Sequence, residues 1–158
     1  MADSSLVIRR ALPEEWEEAM ELVWKTFLKF EADEYGPEGT KSFLDFISGD
    51  KLYKMFLIGE YRVWVAFLDD RMVGVSSLRA HSHISLLFVD ADYHRRGIGR
   101  RLICAMQEEV LKDGSAVLSV NASPYGTPFY HKLGFRDLGE KNTLDGITYI
   151  PMMLLERL

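Results

Sequence analysis

The segment His94-Arg95-Arg96-Gly97-Ile98-Gly99-Arg100-Arg101 has the residue types of an anion site. It follows an apolar run ending in Phe88-Val89 and the short loop Asp90-Ala91-Asp92-Tyr93, and it opens a helical pattern. A helix start leaves backbone N–H groups unpaired and carries a positive partial charge. Glycine removes the side chain that would keep a phosphate from those amides. Arg95, Arg96, Arg100 and Arg101 crowd this end with no acid among them, whereas first turns favour Asp or Glu. A bound polyanion would turn that repulsion into attraction. The plainer alternative is a solvated arginine face with glycines serving strand–helix packing. A dinucleotide fingerprint needs a third glycine where Leu102 stands. A P-loop needs Gly-Lys-Ser/Thr, which Gly99-Arg100-Arg101 does not supply.

A second group stands in Asn121-Ala122-Ser123 and Phe129-Tyr130-His131-Lys132-Leu133-Gly134-Phe135. Together the two motifs resemble the GNAT superfamily of acetyltransferases. Its signature is Gln or Arg, two variable residues, Gly, one variable residue, then Gly or Ala. Residues 94–99 match it at both glycines and depart at the first position, where His94 stands. The resemblance covers roughly Ile84 to Phe135. It implies acetyl-CoA as co-substrate, with the pantetheine arm paired to the backbone around Phe88 and Val89. Amides from Arg96 to Arg101 would hold the pyrophosphate within the His94, Arg95, Arg96, Gly97, Ile98, Gly99, Arg100, Arg101 run. Asn121, Ser123 and Tyr130 would also border the coenzyme. Direct transfer of the acetyl group to a primary amine of a small molecule or peptide is implied as the reaction. An acyl-CoA-binding sensor or regulatory module is the alternative.

That transfer needs a neutral amine, a stabilised oxyanion and a proton for the departing thiolate. By resemblance, an amide near Val89 polarises the thioester carbonyl and Tyr130 protonates the thiolate. An ordinary phenol is protonated at neutral pH. For the base, His81 and His83 stand at the start of the strand that leads to the coenzyme, and histidine titrates near neutrality. Strand alternation puts both on one face with Ser85 and Leu87. His83 is the candidate; fixing a strand end is its plainer role, and deprotonation through water needs no dedicated base. Glu31 and Glu34 lie where family members often shape the acceptor site. With Asp33 they could border an acidic mouth that concentrates a cationic amine. Solvated carboxylates are the plainer reading. Cys104 falls inside a helix and reads as a small packed hydrophobe. No zinc-ligand spacing is present.

Positioning these groups requires a mixed α/β sheet. Leu6-Val7-Ile8 reads as a first strand, and Pro13 suits a helix start. Trp16, Met20, Val23 and Phe27 recur at helical spacing between acids, in a helix fraying near Tyr35-Gly36-Pro37. Thr40 to Ile47 reads as a second short helix. Val63 to Phe67 and Met72 to Leu78 flank the turn Asp69-Asp70-Arg71 as a hairpin. His83 to Val89 reads as a strand covered on both faces, Gly97 to Lys112 as the strongest helix, and Ala116 to Val120 as another strand. Thr127 to Leu133 is a short helix ended by Gly134, and Thr148 to Leu155 a last strand. The fold class expected is α/β (α+β) with helices on both faces. By resemblance, the sheet is mostly antiparallel and splays at its fourth strand.

Length and composition agree with one domain, residues 1–158, without linker or repeat. A formal charge of −5 argues against non-specific nucleic-acid binding. One cysteine favours a reducing compartment. The residues Met1 to Ser5 lack the pattern of a signal peptide, and no apolar run reaches a membrane span. Cytoplasmic placement is the expectation, with monomer and homodimer both open.

Overall fold

The computed structural model describes residues 5–115 and 117–158. Strand β1 (Leu6–Arg10) leads through a 3-10 turn into helices α1 (Trp16–Phe30), α2 (Ala32–Ser48) and α3 (Asp50–Leu57). A meander of β2 (Arg62–Leu68), β3 (Arg71–Arg79) and β4 (His83–Val89) comes next. Then come α4 (Ile98–Lys112), β5 (Leu118–Ala122), α5 (Thr127–Leu133), β6 (Arg136–Asp137), β7 (Asn142–Leu144) and β8 (Ile147–Leu154). The sheet runs β1-β2-β3-β4-β5-β8-β6, with β7 also pairing with β8. Neighbours are antiparallel except β4 and β5, which are parallel.

Each face of the sheet buries its own core. Leu102, Met106 and Val110 of α4 pack with Leu78, Leu118 and Met152 on one side. Val23 and Phe27 of α1 pack with Val63, Val65 and Leu86 on the other. The period-four spacing of those helical residues makes each helix one-sided, so both faces of the sheet are covered. The break expected near Tyr35-Gly36-Pro37 is present, although α1 itself already ends at Phe30. The chain kinks at Gly36 (φ 72°) and resumes as helix at once, with Pro37 where its missing N–H costs little. The expected Thr40–Ile47 helix is thus the second half of α2. Helix α3 was not expected from the periodicity of the sequence; its Tyr53 and Phe56 rings pack on Trp16 at centroid distances of 5.7 and 4.9 Å. The expected fifth strand starts at Leu118 rather than Ala116, which lies outside the described residues.

One irregularity shapes the sheet. Ser77 pairs with Leu86 and Leu78 with Ile84, so Ser85 is an extra residue on β4. Such a bulge bends a strand and exchanges the faces on which the residues to either side of it lie. Ile84 accordingly joins the α4 core, while Leu86 and Phe88 join the α1 core. His83 and Leu87 therefore do not share a face, contrary to simple alternation. The parallel β4–β5 ladder holds only His83↔Ser119 and Ile84↔Val120, ending where the bulge begins. Beyond it both strands continue and diverge, giving the splay.

Tyr61 pins this point. Its ring is 1% exposed. The Ser77 hydroxyl donates to Tyr61 Oη at 2.7 Å, and Tyr61 Oη donates to Ser85 Oγ at 2.8 Å. Burial pushes the phenol up to about 12, so it remains a donor. Farther along, α2 rests on the β7–β8 turn. A Cβ on Gly39 would lie 2.5 Å from the Gly146 carbonyl oxygen, and Ser42 Oγ donates to the Asp145 carbonyl at 3.0 Å.

Tyr61→Phe should cost about 1–3 kcal/mol, because two hydroxyls lose a buried partner. Urea denaturation of the folded variant measures it; unchanged stability would show that this bond does not hold the bulge.

Candidate active site

The diverging ends of β4 and β5 enclose a cleft of ≈ 840 Å³. Its walls are β4, the loop and start of α4, β5 with the loop into α5, and the α1–α2 junction. The β4 wall presents backbone groups. The Asp90 amide donates back to Val73 of β3 at 2.8 Å. Alternation then turns the Val89 amide and carbonyl away from β3, toward the gap. His94 Nε2 donates to that carbonyl at 2.7 Å.

The loop into α4 is organised by Asp90, which is 3% exposed. Its carboxylate accepts from the Asp92 amide at 3.0 Å. It also pairs with Lys25 at 3.1 Å and Arg71 at 3.7 Å. Burial alone would raise its pKa; the amide and the two cations outweigh burial and hold it below the usual carboxylate range.

At the helix start, Arg95 (φ 65°) and Gly97 (φ 78°) adopt left-handed backbone on either side of Arg96. That alternation curls successive amides into a concavity suited to anions. Gly97 caps α4 without a side-chain bond, and no acid stands in the first turn. The first helical bond runs from the Arg101 amide to the Gly97 carbonyl, so the preceding amides have no helical partner. The two glycines do different work. A Cβ on Gly97 would touch nothing within 4 Å; its φ is what demands glycine. A Cβ on Gly99 would lie 3.1 Å from the Phe129 ring, so this glycine admits α5 rather than clearing a path for an anion. His94, Arg95, Gly97, Ile98, Gly99 and Arg100 line the cleft, as do Phe88 and Val89. Arg96 and Arg101 do not: Arg96 lies over the Tyr93 ring at 5.0 Å, and Arg101 is exposed on α4.

The opposite wall includes Asn121, Ser123 and Tyr130. Tyr130 is 7% exposed, edge-on to Phe129 and Phe135 at 5.3 and 5.1 Å. Burial, then the nearby Glu31 charge, pushes its phenol far above the ordinary value. Glu31 caps the C-terminus of α1 and faces the same space. Its carboxyl is pushed up to about 7, first by burial and then by Glu34. Hydrogen bonds with Ser123 and Tyr35 work against that rise.

Two expectations need correction. His83 stands at the still-paired end of β4, outside the cleft, with Nδ1 2.8 Å from Ser119 Oγ. Burial, then Arg79, lowers it to about 4. It secures the last β4–β5 rungs and does not line the cleft. Glu34 is exposed and accepts the Tyr125 amide at 3.2 Å; neither it nor Asp33 lines the cleft, although the Glu34 charge reaches Glu31. The titration of Glu31 was not visible in sequence, because Tyr35, Ser123 and Tyr130 converge on it only after folding. Among the described residues, no cluster of His, Cys, Asp and Glu is placed to hold a metal ion. None of their helices is long and apolar enough to cross a membrane.

The sequence pattern of the GNAT acetyltransferase domain matches residues 31–156. The chain belongs to the GNAT acetyltransferase family. Among GNAT relatives, the uncharacterised N-acetyltransferase YafP of Escherichia coli (strain K12) is 33% identical over 84 residues, 53% of this chain and 52% of YafP. Glucosamine 6-phosphate N-acetyltransferase of Trypanosoma brucei brucei is 34% identical over 85 residues, 48% of this chain and 58% of that protein. This chain thus spans little more than half of either relative. A GCN5-related N-acetyltransferase from Rhodopseudomonas palustris superposes with a TM-score of 0.82 at 25% identity, covering 94% of both chains. The PaiA N-acetyltransferase of Thermoplasma acidophilum, solved with coenzyme A, gives 0.79 at 21% identity, covering 96% of this chain and 99% of its own.

Asp90→Asn should cost about 1–2 kcal/mol at pH 7, the scale of a charge-assisted bond whose cations are largely solvated. Because the folded pKa is depressed, that contribution is present above the unfolded carboxylate value. It is lost as pH falls through the folded pKa. Denaturation from pH 7 to 3 should therefore show the variant and the parent protein converging in acid.

Proposed function

We propose that this GNAT protein transfers an acetyl group from acetyl-CoA to a primary amine of a small molecule or peptide by direct attack. Glu31 serves as the base and Tyr130 as the proton donor. The observation that carries this reading is the Glu31 carboxyl, held near pH 7 in the cleft beside a phenol that stays protonated. The fold shared with a coenzyme A complex supports the choice of donor. So do the residues present. The free α4 amides with Arg95 and Arg100 suit a pyrophosphate, and the outward-turned Val89 amide suits a carbonyl on the pantetheine side.

The amine arrives protonated, and Glu31 passes one of its protons to solvent. Its lone pair attacks the thioester carbon, and the Val89 amide faces the developing oxyanion. As the C–S bond breaks, Tyr130 gives its proton to the sulfur. The remaining excess proton on nitrogen goes to Glu31 and from there back to Tyr130. The products are the acetamide and the free thiol, with one proton released overall. A base near pH 7 suits this task, being deprotonated often enough yet still basic. His83, at about 4, would be a weak base even if it reached the substrate.

Glu31→Gln should lower kcat/KM about 10²–10⁴-fold. It should also remove a rising limb near pH 7, leaving only the titration of the amine itself. Thiol release from acetyl-CoA across pH, with several amines, measures both; an intact limb in the variant would remove Glu31 from the chemistry.

Tyr130→Phe keeps the ring and its packing but deletes the proton. Turnover should fall about tenfold or more while coenzyme affinity by calorimetry stays constant. Undiminished turnover, with chemistry rate-limiting, would return Tyr130 to a packing role.

A further inference from the structure

We infer that the acceptor is a primary amine with one positive charge on a compact aromatic or apolar body, its nitrogen at Glu31 and its body against Phe30 and Phe43. This rests on the reading of Glu31 as the group that meets the amine.

Charge is the first argument. Among the described residues lining the cleft the acids are Glu31 and Asp92, and the bases are Lys29, Arg95, Arg100 and Lys132. Asp92 belongs to the loop before His94, at the anion-binding end. A polyamine seated at Glu31 would meet cationic walls farther along the cleft, and the further carboxylate whose charge reaches Glu31, that of Glu34, is exposed outside the lining. Glu34 is already turned to the Tyr125 amide. A single ammonium is what this end can satisfy.

Ring geometry is the second. Tyr35, Tyr125 and Tyr130 line the cleft with Glu31, and burial, then the Glu31 charge, raises each phenol, so three aromatic side chains border the place where an ammonium would sit. A cation that meets the face of such a ring gains electrostatic attraction, more so when desolvated. Next to them, Phe30 stacks on Tyr125 (5.1 Å, 19°) and on His94 (4.9 Å, 26°). Phe43 stacks on Phe27 (4.2 Å, 16°) and meets Phe88 at 5.8 Å. Both phenylalanines are half-buried and line the cleft, each already stacked on a neighbouring ring, so part of the wall is apolar before any ligand arrives. A linear polar amine would leave that wall wet; a ring or branched hydrocarbon covers it.

The test uses 2-phenylethylamine, ethylamine, putrescine and spermidine as acceptors of the whole chain. The first should exceed each of the others about tenfold or more in kcat/KM. Tyr125 is 44% exposed, so Tyr125→Ala can be made without opening the core. It should shrink the 2-phenylethylamine to ethylamine ratio about tenfold, and Phe43→Leu should shrink it in the same direction. Calorimetry of the same amines on coenzyme-A-loaded protein should give the same order without turnover. Putrescine or spermidine equal to or above 2-phenylethylamine would overturn this inference and leave the transferase reading intact. Turnover of none of these amines, or of a wider set, by protein that binds coenzyme A would overturn that reading and this inference together.

Discussion

Two strands in the middle of this sheet keep only two rungs of their ladder, and the chemistry depends on the gap beyond them. Backbone N–H and C=O groups inside a sheet are normally paired, and a buried unpaired one costs about as much as a lost hydrogen bond. Beyond the Ser85 bulge the β4 edge has no strand beside it, so apart from the Val89 carbonyl, which His94 takes, its groups must meet water or a ligand with peptide-like donors and acceptors. The gap is stable because its ends are fastened. His83 and Ser119 hold the closed end, Tyr61 holds the bulge, and His94 reaches back to Val89 at the open end.

Opposite electrical demands are kept apart within this one opening. The α4 end gathers arginines and free amides; the α1–α2 junction sets the buried Glu31 carboxyl among tyrosines, with Glu34 exposed nearby. Had Glu31 stood among the arginines, it would have been fixed as a carboxylate far below neutrality. Had the arginines been spread along the cleft, any cationic substrate would have been repelled. Asp90 contributes to the separation on its own side, pairing with the solvated Lys25 and Arg71, neither of which lines the cleft.

The sequence was most informative where one local rule decides. The α4 start was legible from Gly97, Gly99 and the misplaced arginines, because helix dipoles and glycine conformations are properties of short segments. Strand β4 and helix α5 were legible from their apolar patterning and end signals, with the bounds His83–Val89 and Thr127–Leu133 found as expected. What failed depended on partners remote in sequence. The His83 prediction failed because one extra residue, Ser85, reversed the strand faces, and nothing in Ile84-Ser85-Leu86-Leu87 announces a bulge. Glu34 failed because its partner is a backbone amide 91 residues away. Glu31 was marked for the right region, but its proton affinity is set by burial among residues of other elements. Helix α3 escaped because its aromatic residues read as neither period until Trp16 gives them a surface.

The contact between Gly39 and Gly146 places part of the recipe for the acceptor pocket outside it. A side chain at either glycine would drive backbone against backbone, and on the helix side the next atom in the way is Cβ of Tyr35. Helix α2 therefore takes its height above the cleft from the tip of a C-terminal hairpin that touches no substrate. Two family members could share every residue that faces the amine and still choose different amines, having diverged only in the length or bulk of that hairpin. Reading acceptor preference from cleft residues alone would miss the difference; the hairpin has to be read with them.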